Sequence, residues 1–270
     1  MQLLILLLLL FVSATCFSQE HNNVWHFGNH AGLNFNNGDP QPIKGKLVHY
    51  NNTASVSDLE GKLLFYSDGK SVWDRNHNVM PNGNELTGGI LALQPALIIP
   101  FPASYLKFFL FTSEGISTNG GLSYSIVDMT LNDSYGDIIS GYKNILVKDS
   151  TQHTVAAILH PNQIDIWIIT YLRNSNEFLS YLVTSSGIEI EPVISQVNSS
   201  LLLDPFYGSI KTSHNGLRIA LHTHSNTFEV FDFNPLTGSI SDATIYLIPS
   251  AILMKMFMDL NSPLMTACFI

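Results

Sequence analysis

Histidine is the residue type that could bring metal or acid–base chemistry to this chain, but its spacing is diagnostic of neither. His222 and His224 lie two positions apart, so on a β-strand both side chains point to one face and could begin a metal site. No third ligand follows at a diagnostic spacing, and chance or surface placement is the preferred interpretation. His153 and His160 bracket a predicted strand, where roles in a turn or in packing are expected. No metal-binding residue is therefore assigned.

Aspartate could supply a catalytic pair, because glycoside hydrolysis needs two carboxylates at a set separation. Asp58, Asp68, Asp74 and Asp232 all occur in predicted turns, where aspartate side chains also accept hydrogen bonds from their own backbone. Carboxylates of an enzyme would gather around one pocket at the inner ends of several sheets. In a binding scaffold, Asp58, Asp68, Asp165 and Asp232 would be scattered over outer turns.

Known catalytic motifs are not matched. Ser67, Asp68, Gly69 and Trp73 depart from the Asp box S-x-D-x-G-x-x-W of sialidase propellers, because the serine and the aspartate are adjacent here. Trp73 and Trp167 lie in strand patterns and are expected in the core. The chain contains no G-x-S-x-G, P-loop, H-E-x-x-H or Rossmann fingerprint. No catalytic or cofactor-binding residue is assigned, and no cofactor is implied.

Composition favours short strands joined by polar turns. Charged residues make up 12% of the 270-residue chain, about half of the ~25% usual in soluble domains. The net charge of −9 would repel a nucleic-acid backbone, and no basic cluster exists to bind an anionic membrane surface. The length suits one sizeable all-β domain.

The first 18 residues are predicted to be a signal peptide. Residues 3–12 form an unbroken apolar run, which is shorter than the about 20 residues of a membrane span. Small side chains precede a predicted cleavage site after Ser18; a lipoprotein site at Cys16 is the alternative. Cys16 and Cys268 are the two cysteines, so no disulfide framework is expected.

Four segments repeat one layout of strand, tight turn, strand, loop and strand. Their central strands begin near Leu63, Phe108, Ile166 and Ile219, and repeats of about 40–50 residues with three or four strands are typical of propeller blades. Residues 166–169 are apolar throughout, as expected of a small sheet that is covered on both faces. The predicted strands are 54–57, 63–66, 71–73, 96–99, 108–112, 122–127, 155–158, 166–170, 178–183, 208–211, 218–222 and 227–233.

The predicted fold is therefore an all-β, incomplete β-propeller of about four to five blades, each with three to four antiparallel strands. The predicted boundaries are a signal peptide over 1–18, blades over 19–250 and an aberrant tail over 251–270.

Several motifs resemble those of exported surface proteins from gliding Bacteroidota. Residues 25–35, WHFGNHAGLNF, are similar to the group's opening WYFGxxAGLDF, and residues 63–83 are similar to LLFYTDGxxVWNRNHxxMPNG. Further matches lie at 160–187 (HPNGxDYWVIT…TSAG) and 231–238 (FDFDxxTG), so the resemblance covers about residues 22–250. It implies an N-terminal WD-like propeller, often followed by PKD modules and a sorting domain for type IX secretion associated with gliding motility. It implies no enzymatic activity and carries over no functional residue.

The last 20 residues depart from that pattern. Four of the seven methionines fall in the final 17 residues, and a shifted reading frame permits YGFEFSPDDSLLY, which would suit the first hairpin of a further blade. One hypothesis is a frameshift near residues 248–253 that truncates a longer propeller and leaves poorly soluble open faces. A genuine apolar terminal helix is the alternative.

The function predicted from sequence is a secreted or cell-surface propeller scaffold, non-enzymatic and truncated, that binds an unidentified protein or glycan. The alternative is a propeller-fold glycoside hydrolase or related carbohydrate-active enzyme. Nucleic acid is excluded as a partner, and no membrane span is expected after signal cleavage.

Overall fold

The computed structural model describes residues 22–48, 52–89, 92–115, 120–199, 208–223, 227–241 and 244–247. These residues form 21 strands in five small antiparallel sheets. In this part of the chain, no helix has the length and apolar character needed to cross a membrane.

The first two sheets have three strands each. Sheet 1 contains β1 (Val24–Phe27), β2 (Asn29–Asn34) and β3 (Gln41–Val48). Sheet 2 contains β4 (Ala54–Ser57), β5 (Leu63–Ser67) and β6 (Val72–Asp74).

The other three sheets share one five-stranded plan, in which the first three strands form a meander and two short strands both pair with the third. Sheet 3 contains β7 (Ala96–Pro100), β8 (Lys107–Ser113), β9 (Gly121–Asp128), β10 (Asp137–Ile138) and β11 (Ile145–Asp149). Sheet 4 contains β12 (Ala156–Leu159), β13 (Ile166–Tyr171), β14 (Glu177–Thr184), β15 (Gly187–Ile188) and β16 (Val193–Gln196). Sheet 5 contains β17 (Gly208–Thr212), β18 (Arg218–Thr223), β19 (Thr227–Asn234), β20 (Ser239–Ile240) and β21 (Thr244–Leu247).

Neighbouring sheets pack face to face, and separate apolar cores fill the gaps between sheets 2 and 3, 3 and 4, and 4 and 5. Strand β13 shows the principle, because all six of its side chains are buried. Ile166 and Ile168 point into the core shared with sheet 3, whereas Trp167, Ile169 and Tyr171 point into the core shared with sheet 5. Alternating side chains thus serve two cores, which is why residues 166–169 are all apolar.

Sheets 1 and 2 meet through aromatic rings. The His26 ring stacks on Tyr66 with centroids 4.3 Å apart, and Trp73 stacks on the same tyrosine at 5.4 Å. The Tyr66 hydroxyl hydrogen-bonds His77 Nδ1 at 3.0 Å. Burial, followed by repulsion from His77, lowers the pKa of His26 to about 4, so the ring is neutral at physiological pH.

First strands of neighbouring sheets contact one another, namely β1 with β4, β4 with β7 and β12 with β17. The sheets are therefore arranged as propeller blades, which confirms the predicted all-β propeller fold. Sheet 1 is a fifth blade outside the four predicted repeats. The predicted domain boundaries, the signal peptide and the tail over 251–270 fall outside the described residues and stay predictions.

The antiparallel layout gives each blade two distinct ends. One end of each blade carries the turn from the first to the second strand and the turn that follows the third strand. We call this end the lower face. The opposite end, the upper face, carries the segments that join second to third strands and those that lead into each first strand.

Candidate functional site

Three of the aspartates singled out from sequence stabilise their own turns. Asp58, Asp68 and Asp74 each accept a hydrogen bond of 2.8–3.0 Å at Oδ1 from the backbone N–H two residues later. Each carboxylate also accepts a second backbone N–H within the same turn. These carboxylates are held by local turns, as their positions in predicted turns indicate.

The remaining two aspartates lie on the lower face of different sheets. Asp165 accepts a hydrogen bond from the side-chain amide of Asn162 in the turn between β12 and β13. Asp232 forms an exposed ion pair with Arg218, 3.4 Å long, between neighbouring strands of sheet 5. The five aspartates are thus spread over both faces and do not gather around one pocket.

The structure describes one member of the histidine pair. His222 is exposed on β18, and His224 lies outside the described residues. The described ranges hold no group of three or more histidine, cysteine or acidic side chains that could bind a metal ion. His160 lies in the turn before β13, and its Nδ1 accepts the backbone N–H of Asn162.

The two tryptophans singled out from sequence pack against neighbouring side chains. Trp167 is buried, and its Nε1 donates to the Pro235 carbonyl of sheet 5 at 2.8 Å. Trp73 is half-buried against Tyr66. The prediction of core positions is confirmed for Trp167 and holds in part for Trp73.

A different set of residues meets on the upper face between sheets 3 and 4. Glu114 directly follows β8, and Arg173 lies two residues beyond the end of β13. His153 belongs to the segment that leads from β11 into β12. The backbone ties these segments together, because Arg173 N–H donates to the Ser150 carbonyl at 2.8 Å and Gln94 N–H donates to the His153 carbonyl at 3.3 Å.

Two adjacent glycines leave room for the charged side chains. A Cβ on Gly120 would lie 3.3 Å from Arg173 Nη2 and 2.5 Å from the Thr151 carbonyl oxygen. A Cβ on Gly121 would lie 3.7 Å from the Glu114 carboxyl group. Gly120 also has a φ of 75°, a conformation that only glycine adopts freely. The Glu114 carboxylate and the Arg173 guanidinium therefore lie against one short segment of backbone.

His153 is the buried member of this cluster, with 1% of its surface exposed. Burial, followed by repulsion from the Arg173 guanidinium, lowers its pKa to about 4. The ring is consequently neutral at physiological pH, and neither ring nitrogen has a hydrogen-bond partner among the described residues.

Buried hydroxyl groups line the same segments. Ser113 Oγ, Thr151 Oγ1 and Thr154 Oγ1 are buried without a hydrogen-bond partner among the described residues. An unmade hydrogen bond in a protein interior costs about 1–3 kcal/mol. The cluster, which we call the upper site, thus offers one carboxylate, one guanidinium, one neutral imidazole and several hydroxyls.

Sequence reasoning gave His153 a role in a turn or in packing and did not consider Glu114 or Arg173. A sequence signal for these residues was present, because charged residues are scarce and Asp68, Glu114 and Arg173 each lie one or two residues after the second strand of three successive sheets. Aligning the repeats on those strands would have placed all three on one face.

Comparison with known proteins finds no matching family model and no matching curated protein. Among solved structures, the chain is similar to a periplasmic gluconolactonase of Pseudomonas aeruginosa, with 8% identity and a TM-score of 0.48, covering 81% of this chain and 64% of that one. It is also similar to a triple mutant of AofleA from Arthrobotrys oligospora, with 10% identity and a TM-score of 0.38, covering 83% and 71%. A third similar structure is NanB plus Optactamide, with 12% identity and a TM-score of 0.30, covering 84% and 37%.

One of these similar chains is an enzyme, the gluconolactonase. The prediction that this chain lacks enzymatic activity is corrected by that comparison. The likeness concerns the fold, and the chain spans less than two thirds of the gluconolactonase.

Proposed function

We propose that this chain is a carbohydrate-active enzyme on a β-propeller scaffold, with its reaction centre at the upper site. The observation that carries the proposal is the meeting of Glu114, Arg173 and His153 on one face, while the other candidate carboxylates are held in separate turns. Carboxylate, guanidinium and hydroxyl groups together suit a polyhydroxylated substrate.

The chemistry of the upper site favours hydrolysis of a sugar ester or lactone over cleavage of a glycosidic bond. Glycosidic cleavage uses two carboxylates on opposite sides of the bond, whereas the described residues bring one, that of Glu114, to this cluster. Ester hydrolysis needs one base and a positive group beside the developing oxyanion. Glu114 and Arg173 match those two roles.

In the proposed step, water attacks the carbonyl carbon while Glu114 takes a proton from that water. Arg173 stabilises the negative charge that develops on the carbonyl oxygen. The ester C–O bond then breaks, and Glu114 returns its proton to the leaving alkoxide, giving an acid and an alcohol. His153 interacts electrostatically with Arg173, and its neutral ring brings no second positive charge to the site.

Proton release from glucono-δ-lactone, followed with a pH indicator, tests this proposal on the full chain. After the uncatalysed rate is subtracted, Glu114→Gln should lower the hydrolysis rate at least about 100-fold. Arg173→Gln should lower it about 100- to 1,000-fold. Glu189→Gln and Arg218→Gln, which change exposed residues away from the upper site, should retain the wild-type rate. Lactone and p-nitrophenyl ester hydrolysis at background rates in the folded wild-type chain would refute the proposal, as would full activity in Glu114→Gln.

We also propose that the chain is exported and acts outside the cell or on its surface. The apolar run over residues 3–12 and the resemblance to exported Bacteroidota proteins support this. N-terminal sequencing of the chain recovered outside expressing cells should begin at Gln19. An uncleaved chain retained in the cytoplasm would contradict it.

A further inference from the structure

A groove on the lower face, between sheets 2 and 3, is separate from the upper site. It encloses about 360 Å³, within the range of about 300–1,000 Å³ found for small-molecule sites. Its walls come from the β4–β5 and β7–β8 turns and from the turns that follow β6 and β9. The groove therefore lies at the junction of two blades.

An aromatic ring dominates the rim of this groove. Tyr105 is 79% exposed, and Leu59 and Leu106 beside it are exposed as well. The backbone N–H groups of Leu106 and Lys107 donate to Ser104 Oγ at 3.4 and 3.2 Å, which holds the turn that carries the ring. A ring presented on a held turn offers contact area at a low cost in conformational entropy.

The polar groups of the groove are also held in place. Arg75 donates to the Ser134 carbonyl, and its guanidinium lies 5.5 Å from the centroid of the Tyr135 ring. Asp58 is held by its turn on the same wall, and Glu60 follows it in the lining. The charged groups of the lining are thus one guanidinium, which donates, and two carboxylates, which accept.

Size and backbone pairing indicate a small ligand for this groove. A stable protein interface buries about 800 Å² per partner, far more than these few turns can cover. A peptide that added a strand would need a free sheet edge, whereas the turn backbones pair internally, as between Asp58 and Lys62 and between Leu106 and Met129.

The charges narrow the ligand class further. Two carboxylates against one guanidinium give the lining a net negative charge, which disfavours anions. An exposed tyrosine ring suits the apolar C–H face of a sugar, and the carboxylates and the guanidinium suit its hydroxyls. We propose that this lower groove is a binding site for a neutral mono- or disaccharide, distinct from the upper site.

Saturation-transfer NMR on the full chain with glucose, galactose, N-acetylglucosamine and cellobiose tests the proposal. At least one sugar should bind, with a Kd on the order of 1 mM. Tyr105→Ala should weaken that binding about 3- to 10-fold. Tyr105→Phe should bind the sugar as tightly as the wild-type chain, because the aromatic ring remains. Tyr142→Ala removes an exposed tyrosine of the same sheet outside the groove and serves as the matched control.

Equal effects of Tyr105→Ala and Tyr142→Ala, or no binding of any of the four sugars, would overturn the proposal. Capture of a peptide in place of a sugar at Tyr105 would also overturn it. The result is separable from the proposed hydrolysis, because Glu114→Gln should lower turnover at least about 100-fold and leave sugar binding in the lower groove unchanged.

Discussion

Phe178 of β14 and Phe231 of β19 meet edge to face across sheets 4 and 5, with ring centroids 4.9 Å apart and planes at 74°. Both side chains are fully buried in the core between these sheets. If stacking of blades stabilises the fold, this pair should show a direct coupling energy. A double-mutant cycle with Phe178→Leu and Phe231→Leu measures that coupling.

The magnitudes follow from burial and geometry. Each single Phe→Leu substitution should lower the free energy of unfolding by about 1–2 kcal/mol, because leucine retains part of the packing. Each kcal/mol lost from the free energy of unfolding lowers Tm by about 2–4 °C in a domain of this size. The edge-to-face pair adds about 0.5–1.5 kcal/mol beyond buried area, so the double mutant should lose that much less than the sum of the single mutants.

Urea unfolding followed by tryptophan fluorescence is the assay, with Trp167 reporting from the same core. The control cycle pairs Phe178→Leu with Phe109→Leu, whose ring lies in the core between sheets 3 and 4. That cycle should be additive within about 0.5 kcal/mol. Additivity in the Phe178–Phe231 cycle, or equal coupling in both cycles, would refute direct packing between these blades.

Three further predictions concern the junction of sheets 1 and 2 and a nearby turn. The pKa of His26 falls from 6.5 to about 4 on folding, so the unfolded chain binds more protons between these values. His26 alone should therefore lower the free energy of unfolding by up to about 3 kcal/mol as the pH falls from 6.5 to 4; urea unfolding at both pH values should show a smaller total drop for His26→Phe than for the wild type, and an equal drop would contradict the assignment. Gly45→Ala would place a Cβ 2.5 Å from His26 Nδ1 and should cost about 1–3 kcal/mol, whereas Lys44→Ala should be neutral in the same assay. Asp74→Ala removes two backbone hydrogen bonds and should lower Tm by several degrees, at about 1–3 kcal/mol; an unchanged Tm would exclude the turn role.

Local patterns in the sequence predicted most strands closely. The predicted 54–57 coincides with β4, and the predicted 166–170 falls within β13 (Ile166–Tyr171). These predictions succeeded because apolar runs and Asp-Gly or Asn-Gly turns are properties of neighbouring residues. Sheet 1 did not emerge as a repeat, since five of the eight residues of β3 are exposed and the strand lacks an apolar run.

The upper site could not be predicted in the same way. Glu114, His153 and Arg173 lie on three separate segments, and no motif links their spacing. They come together because neighbouring sheets stack with their second strands in equivalent positions. The depressed pKa of His153 depends on burial and on the Arg173 charge, neither of which is a property of nearby sequence.

The amino-acid order by itself determined where strands and turns form, because backbone preferences and the alternation of apolar side chains act over a few residues. It also determined that the sheets must be covered on both faces, since central strands such as residues 166–169 are apolar throughout. Only the tertiary structure decided which charged side chains meet between two neighbouring sheets and which groups there are buried. Those outcomes depend on contacts between sheets that are distant along the chain, and such contacts leave no periodic signal in the sequence.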